Sequence, residues 1–137
     1  MPEVFTAADA RHWALLTRAA LAARRTEIDA LNVFPVPDGD TGTNLYLTFD
    51  AAIAEVVAAH EAEGILGEAT LVQECRSLRR AILLSARGNS GVIVSQLVGG
   101  LCDAVIERDA DVVDAAVLAG AIARGAAAAR ACVMHPQ

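Results

Sequence analysis

The sequence contains no lysine, so all 11 of its basic residues are arginine, and 17 acidic residues outnumber them. Any phosphate group bound by this chain is therefore neutralised without the lysine that contacts nucleotide phosphates in a P-loop, and that motif is excluded. The net charge of −6 provides no basic field for nucleic acid. No nucleic-acid partner is expected.

Aromatic residues are also scarce, at 4% of the chain, whereas apolar residues make up 55%. β-Sheets favour aromatic and β-branched side chains, while alanine and leucine carry the lowest cost in a helix. This composition predicts an all-α domain spanning residues 1–137. The 3 cysteines are widely spaced and form no Cys-x-x-Cys pair, which predicts buried thiols in a reducing compartment and not a zinc site.

Long hydrophobic runs are missing as well. The most apolar run, residues 97–105, is shorter than a membrane span and is interrupted by Asp103. Residues 1–10 have neither the basic nor the apolar region of a secretory signal. We therefore expect a soluble cytoplasmic protein that is not integral to a membrane.

Helical periodicity predicts five helices, over residues 6–30, 44–60, 70–85, 92–107 and 112–132, with Thr6 as the first N-cap. Arg24 and Arg25, near the end of the first helix, are expected on a solvated face. Two connections break the periodicity and lead directly into helix N-termini: Asn-Val-Phe-Pro-Val-Pro-Asp-Gly-Asp-Thr-Gly-Thr at 32–43 and Arg-Gly-Asn-Ser-Gly at 87–91. Because helix N-termini bind anions, we expect the functional site there.

The first connection contains two carboxylates, Asp38 and Asp40, on either side of Gly39. The glycine gives the backbone enough freedom for both carboxylates to converge, and converged carboxylates repel each other unless a cation lies between them. Magnesium suits such oxygen ligands and also accepts substrate phosphates. The following residues, 41–44, supply hydroxyl and backbone N–H groups for a phosphate.

A calcium-binding loop and a purely structural turn are the alternatives to a magnesium site in this connection. An EF-hand calcium loop counted from Asp38 would place Gly42, Thr43 and Phe49 where an oxygen ligand, a glycine and a glutamate are required, so it is excluded. An Asx-turn with an N-cap, in which both aspartates serve only backbone donors, stays open. By itself the second connection, with Asn89 and Ser90, is explained by an ordinary turn and N-cap. Beside the acidic connection in a compact bundle, it is expected to form the second wall of a nucleotide site.

The string from Leu31 to Asn44, with the string from Ala86 to Gly91 downstream, resembles the N-terminal DhaL-type domain of bacterial fatty acid kinase catalytic subunits. Those domains are relatives of the nucleotide-binding subunit of dihydroxyacetone kinase. The resemblance covers essentially the whole chain and implies an antiparallel bundle of about eight helices, of which about five are present here. It also implies that ATP and two magnesium ions bind at one end of the bundle.

The same resemblance implies roles for individual residues. Asp38 and Asp40 hold the metals and serve catalysis, and Asn32 is a third metal ligand at a position where the dihydroxyacetone kinase branch has aspartate. The residues implied to contact ATP are Thr41, Gly42, Thr43, Asn44, Asn89, Ser90 and Gly125.

The reaction implied by the resemblance is ATP-dependent phosphorylation of a fatty acid carboxylate, presented by a lipid-carrier protein, to give an acyl phosphate. A carboxylate acceptor is ionised at neutral pH and needs no general base, which agrees with the position of His12, His60 and His135 outside both connections. A homodimer formed through the full-length protein is also expected. The alternatives are a dihydroxyacetone kinase subunit, a non-catalytic nucleotide-binding module and a plain helical structural domain.

Overall fold

The computed structural model describes residues 4–31, 40–109 and 112–134. Within these ranges the chain forms five helices, which are α1 (Ala7–Leu31), α2 (Thr41–Glu63), α3 (Leu71–Ser85), α4 (Gly88–Arg108) and α5 (Ala115–Met134). Two short strands, β1 (Val4–Phe5) and β2 (Val113–Asp114), pair antiparallel and connect the start of α1 with the start of α5. The predicted all-α fold class is confirmed.

Local capping signals account for where two of the helices begin. The Thr6 hydroxyl accepts a hydrogen bond from the Asp9 N–H at 3.3 Å, and the Asp9 carboxylate accepts one from the Thr6 N–H at 3.0 Å. Thr70 and Gln73 form the same reciprocal pair at the start of α3. Each pair satisfies backbone donors that have no partner within the helix.

The helices α2 and α4 begin earlier than the periodicity predicts. Periodicity places their starts at Asn44 and Val92, but the helices begin at Thr41 and Gly88. The residues in between are glycines, hydroxyls and amides, which carry no apolar stripe although their backbone is helical. Much of the irregular sequence in the two connections therefore forms the first turn of a helix.

Each helix packs against the next one along the chain, and α2 also contacts α4 across α3. Because helices joined by short turns run antiparallel, α2 and α4 point in the same direction and begin at the same end of the bundle. Helix α1 contributes no fully buried residue. The core consists of side chains from the other helices and β2, namely Phe49, Ala52, Ile53, Leu71, Cys75, Ala81, Ile82, Val98, Cys102, Val105, Val113 and Ala121.

A buried polar network joins α2 to α3 away from the starts of α2 and α4. The His60 side chain is 2% exposed, its Nε2 lies 2.8 Å from the Ser77 hydroxyl, and its Nδ1 lies 3.0 Å from a Glu74 carboxylate oxygen. Burial raises the pKa of Glu74 above its ordinary value, although the neighbouring His60 and Arg11 oppose this shift. The position of His60 fits the interpretation of this residue as part of the packing.

The cysteines agree in part with their predicted burial. Cys75 and Cys102 are buried in the core, Cys132 is half-buried, and all three carry free thiols. Free buried cysteines behave as small apolar side chains, and at these positions they fill space between helices.

Within the described part of the chain, two helices are long and apolar enough to cross a membrane by length and composition. The α4 stretch Gly88–Arg108 and the α5 stretch Ala115–Val133 both have a mean hydropathy of 1.4, and 39% and 11% of their most apolar segments are buried in the bundle. These stretches are longer than any uninterrupted apolar run in the sequence, because alanine and glycine keep the mean hydropathy high around the polar residues that interrupt them. The cytoplasmic location stays a prediction.

Candidate functional site

The first turns of α2 and α4 lie side by side. The Ser90 hydroxyl is 3.5 Å from the carbonyl oxygen of Thr41, although the two residues are 49 positions apart in the sequence. The backbone N–H of Arg87 donates a hydrogen bond to the Thr48 hydroxyl at 3.0 Å. The ends of both connections therefore meet at one end of the bundle, where two helix N-termini together favour an anion.

Asn44 in the first turn of α2 lies directly against Gly88 at the start of α4. Gly88 has φ 68°, in the left-handed region that side-chain-bearing residues adopt at a cost. A Cβ atom at Gly88 would also lie 2.9 Å from Cγ of Asn44. Glycine is therefore favoured here by its backbone conformation, and a side chain at this position would displace the Asn44 side chain. Beyond it, Asn89 is exposed and Ser90 is half-buried.

Two side chains of α1 hold Thr43 in the first turn of α2. The Asp29 carboxylate accepts hydrogen bonds from the Thr43 backbone N–H at 3.0 Å and from the Thr43 hydroxyl at 2.6 Å. Arg25 Nε donates a hydrogen bond to the same hydroxyl oxygen at 3.1 Å. The hydrogen bonds from Thr43 hold the pKa of Asp29 below its ordinary value, so this carboxylate is ionised at neutral pH.

Sequence reasoning missed Asp29 and assigned Arg25 to a solvated face. Both residues lie on the helix before the first connection, where an acidic and a basic residue look like ordinary surface positions. The Arg25 guanidinium instead lies 5.4 Å from the centre of the Tyr46 ring and is bonded to Thr43. No local signal marks these contacts, because they depend on how α1 packs against α2.

The capping group of α2 comes from α1. Asp40 occupies the N-cap position of α2 with φ −122° and ψ 8°, but its side chain makes no capping hydrogen bond to this helix. The Asp29 carboxylate takes that place by accepting the N–H of Thr43, near the start of the helix. Asp40 therefore does not cap α2 through its side chain, and the broader alternative of an Asx-turn that includes Asp38 stays open.

Helix α1 approaches α2 very closely at Gly42. A Cβ atom on this residue would lie 2.9 Å from the Cβ atom of Ile28 and would collide with the carbonyl oxygen of Arg25. A side chain at this position would therefore push the two helices apart and break the contacts to Thr43. Glycine at position 42 is therefore needed for α1 to pack against α2, and the contact of Gly42 with ATP stays a prediction.

The structure brings most of the predicted site residues together. The N-cap residue and first turn of α2 contain Asp40, Thr41, Gly42, Thr43 and Asn44, and the first turn of α4 beside them contains Asn89 and Ser90.

Of the three other predicted residues, only Gly125 is described by the structure. Gly125 is buried in the contact between α4 and α5, beside Leu97 and Leu101 in the middle of α4, and not beside the first turns. Asn32 and Asp38 lie outside the described residues, so their role as metal ligands stays a prediction. Among the residues that are described, no group of three or more His, Cys, Asp or Glu side chains could hold a metal ion.

Comparisons with known proteins give a match that includes both first turns. The family model described as DAK2 domain matches residues 35–136. Uncharacterized proteins of Staphylococcus aureus strains USA300, NCTC 8325 / PS 47 and bovine RF122 / ET3-1 are each 39% identical to this chain over 109 residues. The alignment covers 80% of this chain and 18% of each relative, so the chain spans less than a fifth of the length of these relatives.

Proposed function

Since this chain belongs to the DAK2 domain family, we propose that it binds ATP at the adjoining first turns of α2 and α4 and serves in phosphoryl transfer. The family is that of the nucleotide-binding subunit of dihydroxyacetone kinase and is associated with kinase function. The single observation that supports the location is the contact of the Ser90 hydroxyl with the Thr41 carbonyl oxygen, which aligns two helix N-termini.

A triphosphate suits this end of the bundle for electrostatic reasons. Each helix N-terminus carries a partial positive charge and N–H groups without partners inside the helix. Asn89 and Ser90 add an amide and a hydroxyl from α4, and Thr41 adds a hydroxyl from α2. Backbone and neutral donors of this kind bind phosphate in a chain that has no lysine.

Magnesium is the metal proposed for this site. Asp40 lies at the N-cap position of α2, and its carboxylate is the oxygen ligand type that magnesium accepts. Asp38 and Asn32 would complete the protein ligands. When bound, magnesium would supply the positive charge that offsets the phosphates.

The proposed acceptor is a fatty acid carboxylate delivered by a lipid-carrier protein in the cytoplasm, with the full-length protein acting as a homodimer. A carboxylate is already ionised at neutral pH, so the site does not need a residue that removes a proton. The described turns contain no histidine, and His60 lies in the core near the opposite end of α2. This arrangement fits an acceptor that arrives deprotonated.

The test uses the full chain and measures MgATP binding by calorimetry and phosphate transfer from ATP. Asp40→Asn keeps the size of the side chain but removes its charge, and we expect MgATP affinity to fall about tenfold or more. Asp50→Asn, further along α2, is the matched control and should leave affinity unchanged.

The acceptor is tested by offering a fatty acid with and without a lipid-carrier protein, and dihydroxyacetone separately. Transfer to the fatty acid only when the carrier is present is the expected result. Transfer to dihydroxyacetone would replace the proposed acceptor. Binding without transfer to any acceptor would refute the kinase activity, and absence of MgATP binding would refute the whole proposal.

A further inference from the structure

The contact between Asp29 and Thr43 lies within the proposed nucleotide site but uses donors that a phosphate would otherwise take. We infer that Asp29 is a positioning residue, which holds the first turn of α2 in the orientation that binds the nucleotide. This inference rests on the proposed function, because it concerns the same site.

The contact is strong for its chemical type. One carboxylate accepts both donors of a single residue, with the hydroxyl at 2.6 Å and the N–H at 3.0 Å. Hydrogen bonds to an ionised acceptor are shorter and stronger than those between neutral groups. Arg25 Nε donates a hydrogen bond to the Thr43 hydroxyl oxygen at 3.1 Å, and the positive charge of Arg25 acts on the Asp29 carboxylate.

The geometry also decides which donors are left for a phosphate. The hydroxyl hydrogen of Thr43 is directed to Asp29, and so is its N–H, so neither group donates to a nucleotide in this arrangement. The donors left for a phosphate are then Thr41 on α2 and Asn89 on α4. The Ser90 hydroxyl donates to the Thr41 carbonyl oxygen at 3.5 Å and would have to turn from it to reach a nucleotide. Thr43 acts on the site through its position and not through contact with the ligand.

The same contact controls the orientation of Asp40. The backbone carbonyl of Asp40 accepts the N–H of Asn44 at 2.9 Å, which makes Asp40 part of the turn that Asp29 holds. Because Gly42 has no side chain, α1 packs closely against this turn, and the Asp29 carboxylate contacts the turn directly. If the turn loses Asp29, the Asp40 carboxylate loses its fixed position relative to the first turn of α4.

The experiment compares four variants of the full chain. Asp29→Asn removes the charge and keeps the shape, Thr43→Val removes the hydroxyl and keeps the volume, and Thr43→Ser retains the hydroxyl. Asp50→Asn is the matched control. A carboxylate oxygen of Asp50 on α2 lies 3.8 Å from a guanidinium nitrogen of Arg18 on α1, so this ion pair joins the same two helices away from the site.

Two quantities are measured for each variant, the dissociation constant of MgATP and the magnesium concentration that supports half-maximal ATP binding. We expect Asp29→Asn and Thr43→Val to raise both about tenfold, whereas Thr43→Ser stays within about twofold of wild type. Asp50→Asn should change neither. Circular dichroism measures whether each variant is helical. If Asp29→Asn does not fold, the comparison of Thr43→Val with Thr43→Ser tests the inference.

The outcomes separate this inference from the proposed function. If the wild-type chain binds MgATP and both Asp29→Asn and Thr43→Val bind it equally well, the positioning role is wrong and the proposed function stands. If Asp50→Asn weakens binding as much as Asp29→Asn does, the effect comes from general α1–α2 packing, and the inference is overturned. If the wild-type chain does not bind MgATP, the proposed function and this inference fail together.

Discussion

The backbone N–H of Arg87 donates a hydrogen bond to the hydroxyl of Thr48 at 3.0 Å, which anchors the turn between α3 and α4 to the side of α2. Thr48 has no exposed surface, and a Cβ atom added to Gly91 would lie 2.5 Å from its hydroxyl oxygen. One buried hydroxyl therefore sets the position of the α4 start relative to α2. The candidate site depends on this relationship, because its two halves belong to different helices.

Replacing Thr48 with valine should destabilise the fold. The substitution keeps the shape of the side chain but leaves the Arg87 N–H without its acceptor, which costs about 1–3 kcal/mol. The free energy of unfolding in urea measures this loss. Thr17→Val is the control, because the Thr17 hydroxyl only donates back to the Trp13 carbonyl within α1, and its removal should change stability by less than about 0.5 kcal/mol. Equal effects of the two substitutions would contradict the proposed anchoring.

Gly88→Ala should weaken MgATP binding as well as stability. Alanine at φ 68° costs about 1–2 kcal/mol in backbone strain, and its Cβ displaces the Asn44 side chain. Gly67→Ala is the matched control, since Gly67 has φ 78° but nothing lies within 4 Å of an added Cβ. Both variants should lose similar stability to strain, and only Gly88→Ala should lose affinity in calorimetry. Normal MgATP affinity in Gly88→Ala would show that the Asn44 position does not matter.

The stability contributed by Asp29 should depend on pH in the acid range. Its pKa is lowered in the folded state by the Thr43 hydroxyl and N–H, so its stabilising effect is complete above its unfolded pKa. That effect is lost as the pH falls through the lower folded-state pKa. The difference in unfolding free energy between wild type and Asp29→Asn should be largest near neutral pH and shrink below about pH 4. Urea denaturation at several pH values measures it, and a constant difference would contradict this assignment.

His60→Ala should destabilise the protein without affecting nucleotide binding. The substitution leaves a cavity and removes the partner of Glu74 and Ser77, which together cost about 2–4 kcal/mol. His12→Ala, at an exposed position on α1, should change little. MgATP affinity measured well below the melting temperature should match wild type in both variants. A specific loss of affinity in His60→Ala would show that this histidine acts at the nucleotide site.

Much of the architecture follows from local signals in the sequence. Apolar spacing predicts all five helices, and Thr6 and Thr70 mark two helix starts because capping residues act within one turn. The two connections stand out because glycine, proline and acidic residues interrupt an otherwise regular pattern. The structure brings the helix starts that follow these connections together, with Ser90 beside Thr41, while the roles of Asp40, Thr41 and Ser90 stay predictions.

The tertiary structure alone decided the relationships between helices. Periodicity identifies which face of α1 is apolar, but it does not identify which residue of α2 that face meets, so Asp29 and Arg25 were not recognised as partners of Thr43. The position of Gly125 beside Leu97 likewise depends on how α5 packs along α4, and its contact with a nucleotide stays a prediction. Local energies determine where helices form, whereas contacts between distant residues depend on the close packing of whole helix surfaces.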